Sequence, residues 1–334
     1  DYYRKCFMRV LSTLKKIIFF IRCRRNLRII DMVVELPLYG HLCIPVHNGY
    51  KIFDLRRELV AKIFDLDVEA QTIAAEIEEL KKVSLLDFAP SLKKWSIDER
   101  WYQEEYVSGD ANESSLLQLN TRAFLEKFHH DVLPCLGQLI AWQKPRRINV
   151  VAYVEEIMRT VESSGLLKPQ AMRRESRKIK EFLDAMCTRV SIEENLFVQL
   201  VYAHGDFCPA NMLNTQSGMK VIDWEGAKYR SVLFDFYSYF FYRSVSSGVS
   251  IAQVATESDE ALSSMVSRIA QENSVMANAL QQSENVYRWL YYIERISMLV
   301  ERKVTDKNLD IADMILRYLD AFNRCEEIQC HYIV

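Results

Sequence analysis

Apolar and polar positions along the chain change period repeatedly. From residue 41 to 64 the runs HLCIPV, YKIF and ELVAKIF are short, apolar and partly alternating, as half-buried strands are. His47-Asn48-Gly49 and Leu55-Arg56-Arg57 separate them, so the stretch predicts a three-stranded antiparallel meander. DLDVEAQTIAAEIEELKKVSLL then takes up helical spacing. Ile73, Ile77, Leu80 and Val83 share one face, and Asp65 or Asp67 can cap the start. SLKKWSIDERWYQEEYVSGD returns to strands, one around residues 92–96 and one around 100–106, and ends at Ser108-Gly109, a natural boundary.

Beyond that point helical patterns dominate. Residues 115–195 read as helices broken near Pro134, Pro145 and Pro169, with MRRESRKIKEFLDAM a charged amphipathic helix. The apolar runs NLFVQLVYA and MKVIDWE are predicted to form a small hairpin around the loop HGDFCPANML. Residues 232–324 are helical again, with one turn near Ser246-Ser247-Gly248. No repeat or low-complexity tract interrupts the pattern. The outline is an α+β chain in two lobes. Residues 36–109 form a small antiparallel-sheet lobe with one helix. Residues 110–334 form a large helical lobe with a strand pair and a loop.

Composition narrows the class. With 334 residues, 49% of them hydrophobic and 26% charged, the chain has enough apolar material for a sizeable core. Nine glycines are few for this length, which favours helices over a turn-dense all-β fold. A formal net charge of -2 names no partner and gives no reason to expect nucleic acid. The eight cysteines make no C-x-x-C pair and are joined by no His cluster, so zinc-site spacing is absent. Scattered single cysteines and the lack of a visible secretory signal fit a cytoplasmic chain.

Residues 1–35 depart from this balance. Within residues 1–31, nine basic residues from Arg4 to Arg28 are opposed only by Asp1 and Asp31. The longest uncharged apolar run among them, IIFFI, is far too short to span a bilayer. The pattern predicts a basic amphipathic helix that lies, through residues 4–30, on the inner face of an anionic membrane. The competing arrangement docks the helix on its own domain with a solvated basic face.

The loop HGDFCPANML raises the question of chemistry. Its Asp and Asn could be plain turn residues. Phosphoryl transfer offers another account, because it needs five groups in order. A Lys on a strand neutralises nucleotide phosphates, and a Glu holds that Lys. One Asp orients the acceptor hydroxyl and takes its proton, and an Asn and a further Asp hold Mg²⁺. Lys62 in VAKIF, Glu76 in the following helix, Asp206, Asn211 and Asp223 in VIDW stand in that order. Glu78 and Glu79 compete with Glu76, since a small error of helical phase exchanges them. Cys208 reads as a small filler of the loop rather than a nucleophile. A binding module that transfers nothing remains a further class, but such chains usually lack one of the five groups.

Taken together, HGDFCPAN, VIDWE, VAKIF and EEYVSG resemble the catalytic loop, metal-binding strand end, strand-three Lys and hinge of the aminoglycoside phosphotransferase and choline kinase superfamily. The resemblance covers residues 38–300 or so and implies a bilobal protein-kinase-like fold using ATP and Mg²⁺. It implies that the backbone of Glu105 to Val107 meets adenine. It makes His204 a structural brace of the loop rather than a general base, and makes Asp235, in LFDFYSYFF, an anchor of that loop. Glu225 would lie near the metal, where it could touch a second Mg²⁺ or a substrate amine, or simply face solvent. The first hairpin departs from the pattern: it is not glycine-rich, and only Gly49 is available for close approach to phosphate.

The acceptor is the least legible part. A sugar hydroxyl of an envelope glycolipid or polysaccharide suits the basic segment, and a lipopolysaccharide or polysaccharide sugar kinase branch would carry that activity. A soluble amino alcohol or aminoglycoside suits D-W-E and the aromatic run Tyr287, Trp289, Tyr291 and Tyr292, which could box a quaternary amine or simply fill the core. His129-His130 and the acidic residues toward the C-terminus, Asp306 to Asp320, read as surface or packing groups.

Overall fold

A computed structural model of the protein describes residues 40–46, 48–111, 119–164, 174–305 and 311–331. The predicted basic helix of residues 1–35 and His47 of the first turn lie outside them, as does Pro169. Two compact units are present, one of residues up to Lys81 with Ser91–Tyr106, the other of Lys82–Pro90 with Val107 onward.

The first unit is built on β1 (Leu42–Val46), β2 (Gly49–Asp54), β3 (Leu59–Phe64), β4 (Leu92–Ser96) and β5 (Trp101–Glu105), with α1 (Ala70–Val83) between β3 and β4. The sheet runs β1-β2-β3-β5-β4 and is antiparallel throughout, so the meander appears as its spacing predicts. Asp54 closes the β2–β3 turn by accepting the N–H groups of Arg56 and Arg57. Ile73, Ile77, Leu80 and Val83 are all buried, so the predicted face of α1 is the packed one. Its start is later than the expected caps: Val68 N–H turns back to the Asp65 carbonyl, and the helix opens at Ala70.

The second unit contains α2 (Thr121–Lys127), α3 (Leu133–Ala141), α4 (Val150–Ser163), α5 (Arg174–Ser191), α6 (Phe234–Ser247), α7 (Ile251–Glu272), α8 (Ser274–Gln282), α9 (Glu284–Thr305) and α10 (Ile311–His331). Pro134 does not break the chain. A π turn over Phe128–Val132, closed by Leu133 N–H on the Phe128 carbonyl, joins α2 to α3 and accommodates the missing proline N–H.

Two small sheets replace the expected strand pair. β8 (Phe197–Ala203) does not form a hairpin with the MKV strand, β10 (Gly218–Val221). It lies between β7 (Arg146–Asn149) and β11 (Lys228–Ser231). β10 instead pairs with β9 (Met212–Thr215), which also meets β6 (Asp110–Ala111). β7 escapes sequence patterning because RRIN is short and half charged. Its arginines lie over neighbouring rings, Arg146 over Tyr229 at 3.5 Å and Arg147 over Phe197 at 4.3 Å.

A buried ion pair pins α6 to α7. Arg243 Nη1 meets Glu257 Oε2 with both side chains fully enclosed, Arg243 also donates to the Leu119 carbonyl, and Gln253 donates to the other Glu257 oxygen. Among the described residues no helix is long and apolar enough to cross a membrane. Glu257→Ala leaves the enclosed guanidinium without its carboxylate and should cost about 3–5 kcal/mol in urea denaturation.

Candidate active site

In the first unit the strand lysine finds its carboxylate. Lys62 sits on β3, 1% exposed, opposite Tyr102 of β5. Its Nζ donates to Glu76 Oε1 at 2.8 Å, and the Tyr102 hydroxyl reaches the same oxygen at 3.2 Å. The Phe64 ring lies 4.8 Å from the ammonium. Of the three competing glutamates on α1, Glu76 is therefore the partner, while Glu78 accepts from Lys81. A lysine enclosed this way is aimed by its carboxylate rather than mobile.

The hinge stretch shows which backbone donors are engaged. Glu105 N–H donates to the Ser91 carbonyl and Tyr106 N–H to the Glu58 carbonyl. The Glu105 carboxylate accepts from the Ser91 hydroxyl at 2.8 Å. Gly49 has a positive φ of 152°, and a Cβ there would stand 1.9 Å from the Ile63 carbonyl oxygen. Close approach of β3 is thus a structural reason for that glycine, beside any contact with phosphate.

In the second unit the catalytic-loop candidates converge. β8 ends at Ala203, and the chain turns through His204 to Asn211 before β9. Asp235, near the start of α6, holds the turn: Oδ2 accepts His204 N–H at 2.6 Å and Oδ1 accepts Gly205 N–H at 3.0 Å. Burial raises the Asp235 carboxyl pKa, and the backbone N–H groups of His204 and Gly205 work in the opposite direction.

His204 is 0% exposed. Its Nε2–H donates to the Ile222 carbonyl at 2.9 Å and its Nδ1 accepts from Asp206 N–H at 3.1 Å. Both ring nitrogens are thus spent on backbone, the pattern of a neutral imidazole holding two segments together.

Gly205 makes the turn possible. Its φ is +86°, and a Cβ there would lie 2.3 Å from the Gly226 carbonyl oxygen. Asp206 follows, partly exposed. Its carbonyl accepts from Asn211 Nδ2 at 3.0 Å, across a short 3₁₀ turn, Pro209–Asn211. The Asn211 carbonyl in turn accepts Ile222 N–H at 2.9 Å, tying the loop to the segment that carries Asp223.

Asp223 does not end the strand itself. β10 stops at Val221, and Asp223 is exposed in a left-handed conformation, φ 69° and ψ 58°, before a 3₁₀ turn, Trp224–Gly226. A non-glycine residue in that region carries strain, which recurs where a side chain must face a ligand. Glu225 is exposed on the same turn.

The donor set suits Mg²⁺. Asn211 spends Nδ2 on the Asp206 carbonyl, which leaves Oδ1 as the amide atom able to meet a cation, and Asp223 supplies an exposed carboxylate. Among the described residues no three of His, Cys, Asp and Glu gather as a metal site. A mixed amide and carboxylate pair, completed by phosphate and water oxygens, is what a hard cation accepts.

One participant is absent from the sequence pattern. Arg295 of α9 is 4% exposed and reaches the loop from beneath. Nη1 donates to the Gly205 carbonyl and to Asp206 Oδ1, each at 3.2 Å. Nη2 donates to the same Asp206 oxygen at 3.2 Å and to the Tyr318 hydroxyl of α10 at 2.8 Å. Burial opposes the guanidinium charge, but Tyr318 and Asp206 outweigh it, and its pKa rises above the ordinary arginine value. The adjacent Glu294 accepts from Ser231 N–H of β11 at 2.7 Å and from the Ser231 hydroxyl at 2.5 Å. A clue existed in the sequence: Glu294-Arg295 interrupts a helix face otherwise read as core.

Comparisons with known proteins give the family and the fold. The family profile described as the phosphotransferase enzyme family, APH, matches residues 47–265. The chain belongs to that family. It is a phosphotransferase that acts on hydroxyl groups, in the kinase-like superfamily. A search of curated protein sequences finds no match to it.

Solved structures share its fold. An ethanolamine kinase of Plasmodium vivax is 13% identical, with 84% of this chain and 81% of that one covered at a TM-score of 0.55. The choline kinase LicA of Streptococcus pneumoniae is 17% identical, with 91% and 98% covered at 0.54. A glucosamine kinase solved with glucosamine, ADP and inorganic phosphate is 13% identical, with 87% and 82% covered at 0.54. The bilobal α+β expectation is met by this kinase-like fold.

Other candidates settle as packing. Tyr287, Tyr291 and Tyr292 are fully buried, and Trp289 donates to Glu326, so this run fills the core and is not an open aromatic box. His129 and His130 are exposed, and Asp313 and Asp320 pair with Arg317 and Arg324 one turn away. Cys208 is buried and its thiol is pushed up to about 12, first by desolvation and then by Asp206. It should resist iodoacetamide at pH 8 in the folded protein and label only after denaturation, as mass spectrometry of the loop peptide would read.

Proposed function

We propose that the protein moves the γ-phosphoryl group of ATP, with Mg²⁺, to a hydroxyl of a small molecule, and that an envelope saccharide or glycolipid is the acceptor. The observation that supports this most is the loop itself. Asp206 is partly exposed, while the groups around it, His204, Gly205, Asn211 and Arg295, are tied to backbone, to Asp206 or to the Asp235 carboxylate. A carboxylate so held orients an acceptor hydroxyl and takes its proton as the new O–P bond forms and the bond to ADP breaks. Asn211 Oδ1 and the Asp223 carboxylate would hold the metal, which when bound neutralises phosphate oxygens. Lys62, aimed by Glu76, takes a phosphate oxygen, and the backbone of Glu105 to Val107 takes adenine. His204 and Asp235 fix the loop without touching reactants.

The saccharide reading rests on the one-sided basic charge between Arg4 and Arg28. A second reading, an amino alcohol or amino sugar, is favoured by the exposed Glu225 two residues from Asp223 and by the choline, ethanolamine and glucosamine named for proteins of this fold.

With Mg·ATP, the wild type should add phosphate to a component of a cell-envelope extract, read by mass spectrometry. Choline, ethanolamine and glucosamine serve as parallel acceptors, and phosphate on one of them alone would favour the second reading. Asp206→Ala should lose about 10²–10⁴-fold in rate while still binding nucleotide. Asp223→Ala should instead weaken Mg-dependent binding, and equal product from wild type and Asp206→Ala would sink the base assignment.

The full chain should co-sediment with anionic vesicles and lose that binding when residues 1–30 are removed. Unchanged sedimentation would remove the membrane argument.

A further inference from the structure

We infer that Arg295 is a positioning residue for phosphoryl transfer, holding the Asp206 carboxylate in the orientation in which it meets the acceptor hydroxyl. This rests on the proposed transfer through Asp206. Three observations carry it. Both terminal nitrogens of Arg295 converge on one carboxylate oxygen, Asp206 Oδ1, at 3.2 Å. One of them also donates to the Gly205 carbonyl, so side chain and backbone of the loop are gripped together. The guanidinium is itself held, with Nη2 on the Tyr318 hydroxyl at 2.8 Å and its centre 4.8 Å from the Tyr318 ring.

The planar fork is what does this. An ammonium would offer a point charge without a fixed plane, whereas the guanidinium restricts rotation of the carboxylate it grips. Asp235 and His204 fix the backbone at the turn; Arg295 acts on the Asp206 side chain. Its place on α9 beside Glu294, which is bonded to β11, keeps the fork from drifting. Tyr318 brings α10 into the same chain of contacts. A helix that begins near residue 311 thus bears on the orientation of a carboxylate more than a hundred positions earlier.

The test is phosphate release from Mg·ATP, with water in place of the acceptor, measured as kcat and KM for ATP. Arg295→Ala should lose about 100-fold in kcat, the scale of an ångström of misplacement, with KM for ATP little changed. Added methylguanidinium should restore part of that rate. Arg295→Lys should stay well below wild type, since the fork is gone. Tyr318→Phe, which removes one hydroxyl and should leave the fold intact, should lose about threefold to tenfold in kcat, and that loss should vanish in an Arg295→Ala background.

Wild-type kcat in both Arg295→Lys and Tyr318→Phe would overturn the inference. So would a loss without rescue in which kcat, KM and thermal stability fall together. If the wild type neither releases phosphate to water nor transfers it to any acceptor tried, the proposed transfer through Asp206 fails and the positioning is read directly. Crystal structures of Arg295→Lys and Tyr318→Phe should then show Asp206 Oδ1 displaced by about 1 Å from its wild-type place, on the scale that alters reactivity. An unmoved carboxylate would overturn it.

Discussion

One buried carboxylate organises the loop from His204 to Asn211. Asp235 accepts the consecutive N–H groups of His204 and Gly205, and without that acceptor two backbone donors at the end of β8 would be buried unpaired. Its own burial is unfavourable, and its charge is tolerated because those donors aim at it. With the turn fixed, Gly205 can take its positive φ against the Gly226 carbonyl. The His204 ring can then bridge Asp206 N–H to the Ile222 carbonyl. Asn211 and Asp223 inherit their positions from the same ties.

The second unit places its charges in the same economical way. Charged side chains in the core are costly unless each meets a defined partner. On α9, Glu294 grips β11 and Arg295 grips the loop, so neighbouring residues bind two different elements to one helix. Arg243 and Glu257 do the same for α6 and α7. The apolar surroundings, crowded with Phe and Tyr rings from Phe124 to Phe322, supply burial, while these pairs fix the register between helices.

Several parts of this arrangement were legible in the sequence because local periodicity or local motif encodes them. The three-stranded meander, the buried face of α1 and the β4–β5 pair follow from alternation and helical spacing. The closeness of Asp206, Asn211 and the Asp223 segment follows from their short spacing in the chain. Other parts were not legible. β7 is four residues long and carries two arginines, and its strand character comes from pairing with β8. β11, KYRS, carries Lys228 and Arg230, so no apolar pattern marks it as the partner of β8 in place of β10. The aromatic run on α9 could have been a cage or a core, and burial decided for core.

By itself, the sequence determined which groups are present and in what order: Lys62, Glu76, Asp206, Asn211 and Asp223, on elements set by short-range pattern. Choosing Glu76 over its neighbours required the phase of α1 against β3, because a helix turns each residue by about 100° and spacing alone does not say where the strand lies. The contacts of His204 and Arg295 come only from the tertiary structure. A histidine's chemistry depends on what its two nitrogens meet, and an arginine's on what its fork reaches. Arg295 and Asp206 lie far apart along the chain, and the packing of α9 beneath the loop is what brings them into contact.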